Sequence, residues 1–357
     1  MLEDDNLHYS LNKILSYNKT FNFIISAREA GKSTAIWRQV YRKLKNTGRT
    51  SLVIRRAQVD ITDVYIQSIE DTINDWFDDE VEFDVRKDKG CAIVFIGDQE
   101  FCVILALSNP LSRIKSLVLK NLAYIVFDEF ICNTRLGEKY LKNEAFKFKE
   151  VFNTFYRCCR ENDLKVLFAG NPYSLYNPYF DDLKVDTTKL KPGALIVENA
   201  YAIEAYQLTD GLRKKILSKN PLYQFDDSYT KYAFDGSAIN DLNIPISKIK
   251  PDYFQLLYCF IYEGKTLGVY KYNGSLPPVG GSKSFVYWVG QVTDEGERRQ
   301  VFCFDFSDLV SGSVIISVTD KKMFQSLKLY IGKRRVIFQD LATNYAIEDI
   351  FSQLGGR

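Results

Sequence analysis

The stretch Phe21-Asn-Phe-Ile-Ile-Ser26-Ala-Arg-Glu-Ala-Gly31-Lys32-Ser33-Thr34 joins an apolar run of strand character to a short loop and the start of a helical pattern. A strand, a tight loop and a helix N-terminus aim several backbone N–H groups at one anion, and the helix dipole adds to the attraction. In such a loop Ser26, Ala27, Arg28, Glu29, Ala30, Gly31, Lys32, Ser33 and Thr34 would surround a nucleotide's phosphates. Gly31 lets the backbone come close, Lys32 reaches the β- and γ-phosphates, and the Ser33 hydroxyl serves Mg2+. Ser26 stands where the G-x-x-x-x-G-K-[ST] pattern has its first glycine. The plainer reading is a loop-to-helix junction with an incidental lysine.

A second segment, Tyr124-Ile-Val-Phe-Asp128-Glu129, is an apolar strand ending in two acids. Carboxylates at the C-terminal end of a strand buried on both faces emerge at the sheet edge where ligands bind. Asp128 is placed to hold Mg2+ and Glu129 to polarise the attacking water. Solvated acids ending a strand are the alternative, weakened by the loop upstream. Together the two segments predict an ATP-hydrolysing P-loop domain of the ASCE type, with ATP and Mg2+ as ligands.

The strand Leu164–Ala169 ends in Gly170-Asn171-Pro172, where Asn171 either senses the γ-phosphate or merely starts a turn. A helix over 143–160 carries an apolar stripe at Phe148, Val151, Phe152, Phe155 and Cys159. Arg157 projects away from that stripe with Arg160 nearby, as a solvated charge or as a charge given to a neighbouring subunit's site. Basic residues gather at Arg38, Arg42, Lys43, Lys45, Arg49, Arg55 and Arg56, and again at Arg113, Lys115 and Lys120. Lys115, Arg113 and Arg56 are candidate contacts to DNA phosphates.

Short apolar strands alternate with helical patterns to about residue 200, which predicts an α/β fold with a mainly parallel sheet covered on both faces. The ATPase domain is placed at 1–200, a linker or lid at 201–245, and a separate α/β or β-rich module at 246–357. With 46% hydrophobic and 26% charged residues, the 357-residue chain has the composition of an ordinary globular protein. Its 25 Phe and 23 Tyr fit an aromatic core better than stacking platforms for bases. A net charge of +2 creates no global field for nucleic acid, so any DNA contact must be local. One histidine argues against zinc chemistry and a Ser-His-Asp triad. Seven cysteines without CxxC spacing read as free thiols of a reducing compartment. The acidic, polar start is no secretory signal and no run is long enough to cross a membrane, so a soluble intracellular protein is expected.

With their flanks, these segments resemble the genome-packaging ATPases of small tailed phages of the phi-twenty-nine type. Ile14-Leu-Ser-Tyr17-Asn18 before the loop, LVIRR at 52–56, IVFDEF at 125–130, FYR at 155–157, NPYF at 177–180 and FIYEGKTLGVY at 260–270 carry the likeness in order. The resemblance implies a homo-oligomeric ring, in that family a pentamer, docked on the portal vertex of a procapsid and driving double-stranded DNA inward. It makes Tyr17 a further nucleotide-binding residue, Lys115 a channel-facing DNA contact, Arg157 a finger acting across the subunit interface, and Arg28 a basic residue that switches with nucleotide state. It gives 246–357 a ribonuclease-H-like fold, a vestigial nuclease, since the strand Tyr253–Tyr262 has no acid before Glu263, although Asp305 and Asp308 flank a later strand. A longer interval between Arg157 and Asn171 is a departure from the family pattern. The sequence leaves open whether a packaging RNA joins the assembly. A helicase-like translocase, an ATPase with an active C-terminal nuclease and a slow nucleotide switch remain the alternatives.

Overall fold

The computed structural model describes residues 8–77, 80–88, 90–117, 119, 121–133, 136–159, 163–219, 244–274, 285–292, 300–303, 308–316 and 321–355. The chain divides into two compact units, Met1–Asn240 and Asp241–Arg357. Nine strands build the sheet of the first: β1 (Phe21–Ser26), β2 (Thr50–Arg55), β3 (Phe83–Asp88), β4 (Cys91–Ile96), β5 (Gln99–Ala106), β6 (Leu122–Asp128), β7 (Lys165–Gly170), β8 (Leu195–Val197) and β9 (Tyr201–Tyr206). They lie in the order β3-β4-β5-β2-β6-β7-β1-β9-β8. The six central strands, β5 to β9 in that order, run parallel, and antiparallel pairs close both edges.

Successive side chains of a strand point to opposite faces, and β1 uses both. Phe23 and Ile25 enter one core, and Ile24 enters the other. On Ile24's side the sheet is covered by helices Lys32–Thr47 and Asp63–Phe77 through Trp37, Val40, Leu44, Ile66, Ile69 and Ile73. The opposite core takes in helix Glu144–Tyr156 through Phe148, Val151 and Phe155. There Phe23 stacks on Phe168 with ring centroids 4.3 Å apart, and Phe127, Phe130, Phe148 and Tyr179 pack around the pair. Aromatic contacts of this kind add about 0.5–1.5 kcal/mol each beyond area burial. They form a stiff floor under the tips of β1, β6 and β7.

Two expectations change here. The linker does not begin at 201, because β9 pairs in parallel with β1 from Tyr201 to Tyr206 and belongs to the nine-stranded sheet. Its one acid, Glu204, is buried but accepts from the Tyr9 hydroxyl at 2.9 Å and pairs with Lys13 at 3.1 Å. Residues 220–243 of the proposed lid lie outside the described residues. The basic segment around Lys115 is a short helix, Leu111–Ser116, not a loop.

The second unit holds β10 (Phe254–Tyr262), β11 (Lys265–Tyr272), β12 (Tyr287–Gln291), β13 (Val301–Cys303), β14 (Ser313–Ile315) and β15 (Val336–Phe338), in the order β14-β13-β10-β11-β12-β15. β10, β11 and β12 form an antiparallel meander, and β13 and β14 join β10 in parallel. That is the strand arrangement expected of a ribonuclease-H-like sheet, with β15 added beyond β12. Asp305 lies outside the described residues. Asp308 accepts from the Gly264 N–H at 3.2 Å, and Asp349 accepts from the Tyr262 hydroxyl at 3.0 Å.

Candidate nucleotide site

Strand β7 stands between β1, which leads into the phosphate loop, and β6, which ends in the acids. Their C-terminal ends therefore deliver three different groups to one edge. A cavity of about 290 Å³ opens there, lined by 28–34 of the loop, Asp128, Glu129, Gly170 and Asn171. Of the expected phosphate-loop residues, only Ser26 and Ala27 stand behind the lining, buried beneath the loop.

The local backbone explains the loop. Gly31 caps helix Lys32–Thr47 at φ 86°, in the left-handed region that favours glycine, and no side chain caps that end. The uncapped first-turn N–H groups are thus left to face an anion. A Cβ on Gly31 would also press on His8 Cβ at 3.2 Å, since the N-terminal segment runs over the loop and the Tyr9 N–H donates to the Ala30 carbonyl at 2.9 Å. Gly170 is needed for a different reason. A Cβ there would meet the ring of Phe130 at 2.9 Å and Ile131 at 3.1 Å.

Lys32 is 9% exposed and donates to the carbonyls of Ser26 and Ala27 and to Asn171 Oδ1, each at 3.0 Å. Burial lowers its pKa to about 8, against the attraction of Asp128. The ammonium therefore remains mostly charged at neutral pH. Asn171 also donates to the Tyr173 hydroxyl at 3.4 Å, and that oxygen accepts from Arg28 at 3.0 Å. A chain of polar contacts thus ties the loop to the tip of β7.

Asp128 is pushed up to about 6 by burial and by its neighbour Glu129, opposed by Arg55 and Lys32. Its Oδ1 accepts from the Glu129 N–H at 3.1 Å. Glu129 itself turns at φ 58°, in the left-handed region. Arg55, the last residue of β2, donates to Glu129 Oε2 at 2.9 Å and lies 3.9 Å from Asp128 Oδ2. Arg55 and Tyr173 are the two contributors that sequence reasoning left without a role here. The doublet Arg55-Arg56 and the short interval from Asn171 to Tyr173 were the available signals.

Two assignments need correction. Tyr17 is not at the pocket. Its neighbour Asn18 pairs with Lys165, the first residue of β7, and Lys19 reaches the Asn199 carbonyl, so this segment lies at the opposite sheet edge. Arg56 is no surface contact for DNA, because its side chain, only 13% exposed, is turned inward onto Glu144 at 2.9 Å. Lys115 is exposed and Arg113 half-buried, and each forms an ion pair, Lys115 with Glu150 at 2.8 Å and Arg113 with Asp88 at 2.9 Å. Arg157 follows helix Glu144–Tyr156 and is exposed. The helix starts at the pocket edge, where Glu144 meets Arg56, and ends at the far edge, where Cys159 meets the carbonyl of Leu122, the first residue of β6. Its 13 residues span about 20 Å at 1.5 Å per residue, so Arg157 cannot serve its own pocket. Arg160 and Lys120 lie outside the described residues. The seven cysteines are free, and no described helix is long and apolar enough to cross a membrane.

Known proteins place this geometry. The chain is 26% identical over 274 residues to the DNA packaging protein of Bacillus phage phi29, covering 75% of this chain and 76% of that protein. To the DNA packaging protein of Bacillus phage B103 it is 25% identical over 331 residues, covering 88% and 91%. A chain of the bacteriophage Phi-29 viral genome packaging motor assembly superposes with a TM-score of 0.65 at 20% identity, over 98% of this chain and 99% of that one. The Phi-28 gp11 DNA packaging motor superposes at 0.61 with 16% identity, over 98% of each. At these identities the two structures establish a shared fold. The model of the family described as Podovirus DNA encapsidation protein (Gp16) matches residues 3–339. Because that match runs through both compact units and not the phosphate loop alone, the chain is a member of the podovirus DNA encapsidation protein family.

Proposed function

We propose that this protein is the ATP-hydrolysing subunit of a ring motor that drives double-stranded DNA through the portal into a procapsid. The convergence of Lys32, Asp128, Glu129 and Asn171 on one cavity carries the reading, and family membership supports its biological setting. The loop N–H groups and Lys32 hold the phosphates of ATP. The Ser33 hydroxyl and the Asp128 carboxylate are hard oxygen donors, the set that suits Mg2+. Magnesium, when bound, supplies charge neutralisation between the phosphates. Glu129 accepts the proton of the attacking water, with Arg55 setting where its carboxylate starts.

Arg157 serves a neighbouring subunit's site, a reading supported by its position past the far end of helix Glu144–Tyr156 from its own pocket. Lys115 and Arg113 contact DNA phosphates when their exposed ion pairs open, a low barrier because such pairs are worth little. The second unit serves docking and does not cut DNA. A ring of five and a bridging packaging RNA extend the same reading by resemblance. The test is ATP turnover in the presence of duplex DNA, with Glu129→Gln beside the wild type. Glu129→Gln should bind ATP as the wild type does and lose about 10²–10⁴ in rate, the usual worth of a general base. Equal turnover would remove Glu129 from the role.

A further inference from the structure

Arg56 uses every arm of its guanidinium inside the protein. Nε donates to Glu144 at 2.9 and 3.2 Å, and Nη2 donates to Glu144 Oε1 at 3.1 Å. The remaining bonds go to main chain: Nη2 to the Phe130 carbonyl at 2.7 Å, and Nη1 to the Glu129 carbonyl at 3.1 Å. Phe127 and Tyr140 rings flank it at 5.6 and 5.2 Å. Glu144, with a fully buried side chain, is fixed in turn by the Tyr179 hydroxyl at 2.8 Å and the Leu141 N–H at 2.7 Å.

The two gripped carbonyls belong to the turn that carries the catalytic carboxylate. Glu129 is a non-glycine residue at φ 58°, a strained conformation that persists only where its surroundings over-determine it. The Phe130 N–H holds the other side of the turn through the Ala169 carbonyl at 3.1 Å. Consecutive arginines thus hold one residue between them. Arg55 takes the Glu129 side chain, and Arg56 takes the carbonyls of Glu129 and of Phe130, the next residue of the turn. We propose that Arg56, locked by Glu144, is a positioning residue that holds the Glu129 turn in its hydrolytic geometry. The proposal rests on the reading of Glu129 as the base.

Lysine keeps the charge opposite Glu144 but has three donors on one atom, which cannot span a carboxylate and two carbonyls. Arg56→Lys and Glu144→Gln are therefore compared with Glu129→Gln and the wild type for thermal midpoint, ATP affinity and turnover. Both variants should bind ATP within about twofold of wild type yet turn over about tenfold to a hundredfold more slowly, the scale of a displacement near 1 Å. Wild-type turnover in Arg56→Lys, with Glu129→Gln inactive, overturns the proposal and leaves the base assignment standing. Wild-type turnover in Glu129→Gln removes the base assignment itself. Loss of ATP binding together with hydrolysis, or of the folded state in both variants, makes the pair a structural brace and also overturns the proposal.

Discussion

Arg55 Nη2 lies 2.9 Å from Glu129 Oε2, so the carboxylate assigned to activate water is already held by a cation from the neighbouring side of the sheet. The same guanidinium stands 3.9 Å from Asp128 and offsets the repulsion between the two acids. Arg55→Ala should slow hydrolysis and raise the magnesium concentration needed for half-maximal turnover several-fold, with Arg55→Lys between it and the wild type. A magnesium titration of turnover checks this. An unchanged midpoint would mean that Arg55 has no hold on the acid pair.

The Lys115–Glu150 contact at 2.8 Å predicts opposite effects from its two members. Lys115→Ala should weaken duplex binding without sequence preference and flatten the slope of log affinity against log salt by about 0.9 for each phosphate no longer neutralised. Glu150→Gln frees the ammonium and should tighten binding a few-fold at low salt. Equal responses from both variants would place the grip elsewhere.

Residues 246–357 should cut nothing. Tyr262 and Gly264 engage Asp349 and Asp308 at 3.0 and 3.2 Å, which commits two of the acids near β10 to structure. Supercoiled plasmid incubated with the protein and magnesium or manganese should stay supercoiled. Nicking that disappears in Asp305→Ala would give the unit a nuclease site.

The sheet was legible where burial is complete. Runs such as FNFII, LVI and YIVF have no polar face to disguise them, and each became a central parallel strand. β3 carries no such signal, because Asp84, Arg86, Lys87 and Asp88 expose it at the sheet edge, and in β9 Glu204 interrupts the apolar run. The partners that make Glu204 tolerable, Tyr9 and Lys13, lie far upstream, beyond any local pattern. Arg56 fails for the same reason. Two adjacent arginines look like a basic patch until Glu144, 88 residues later, turns one of them inward.

Arg157 sits beyond the end of its helix, about 20 Å of helix away from the pocket edge. Arg157→Ala should bind ATP and hardly hydrolyse it, since fingers of this kind supply about 10³–10⁵ in rate in other phosphoryl-transfer systems. Mixed with Glu129→Gln, it should recover part of the activity, because some interfaces would then pair an intact Glu129 with a donated Arg157. Absence of recovery in rings proven to be mixed would take Arg157 out of catalysis.

The most direct test of the whole account is protection of duplex DNA from nuclease in procapsids supplied with this protein, ATP and magnesium. Wild-type protein should protect full-length DNA only with hydrolysable ATP, and Glu129→Gln should protect none while still binding nucleotide. Protection by Glu129→Gln equal to wild type, or by wild type without ATP, would contradict a motor driven from the Lys32–Asp128–Glu129 site.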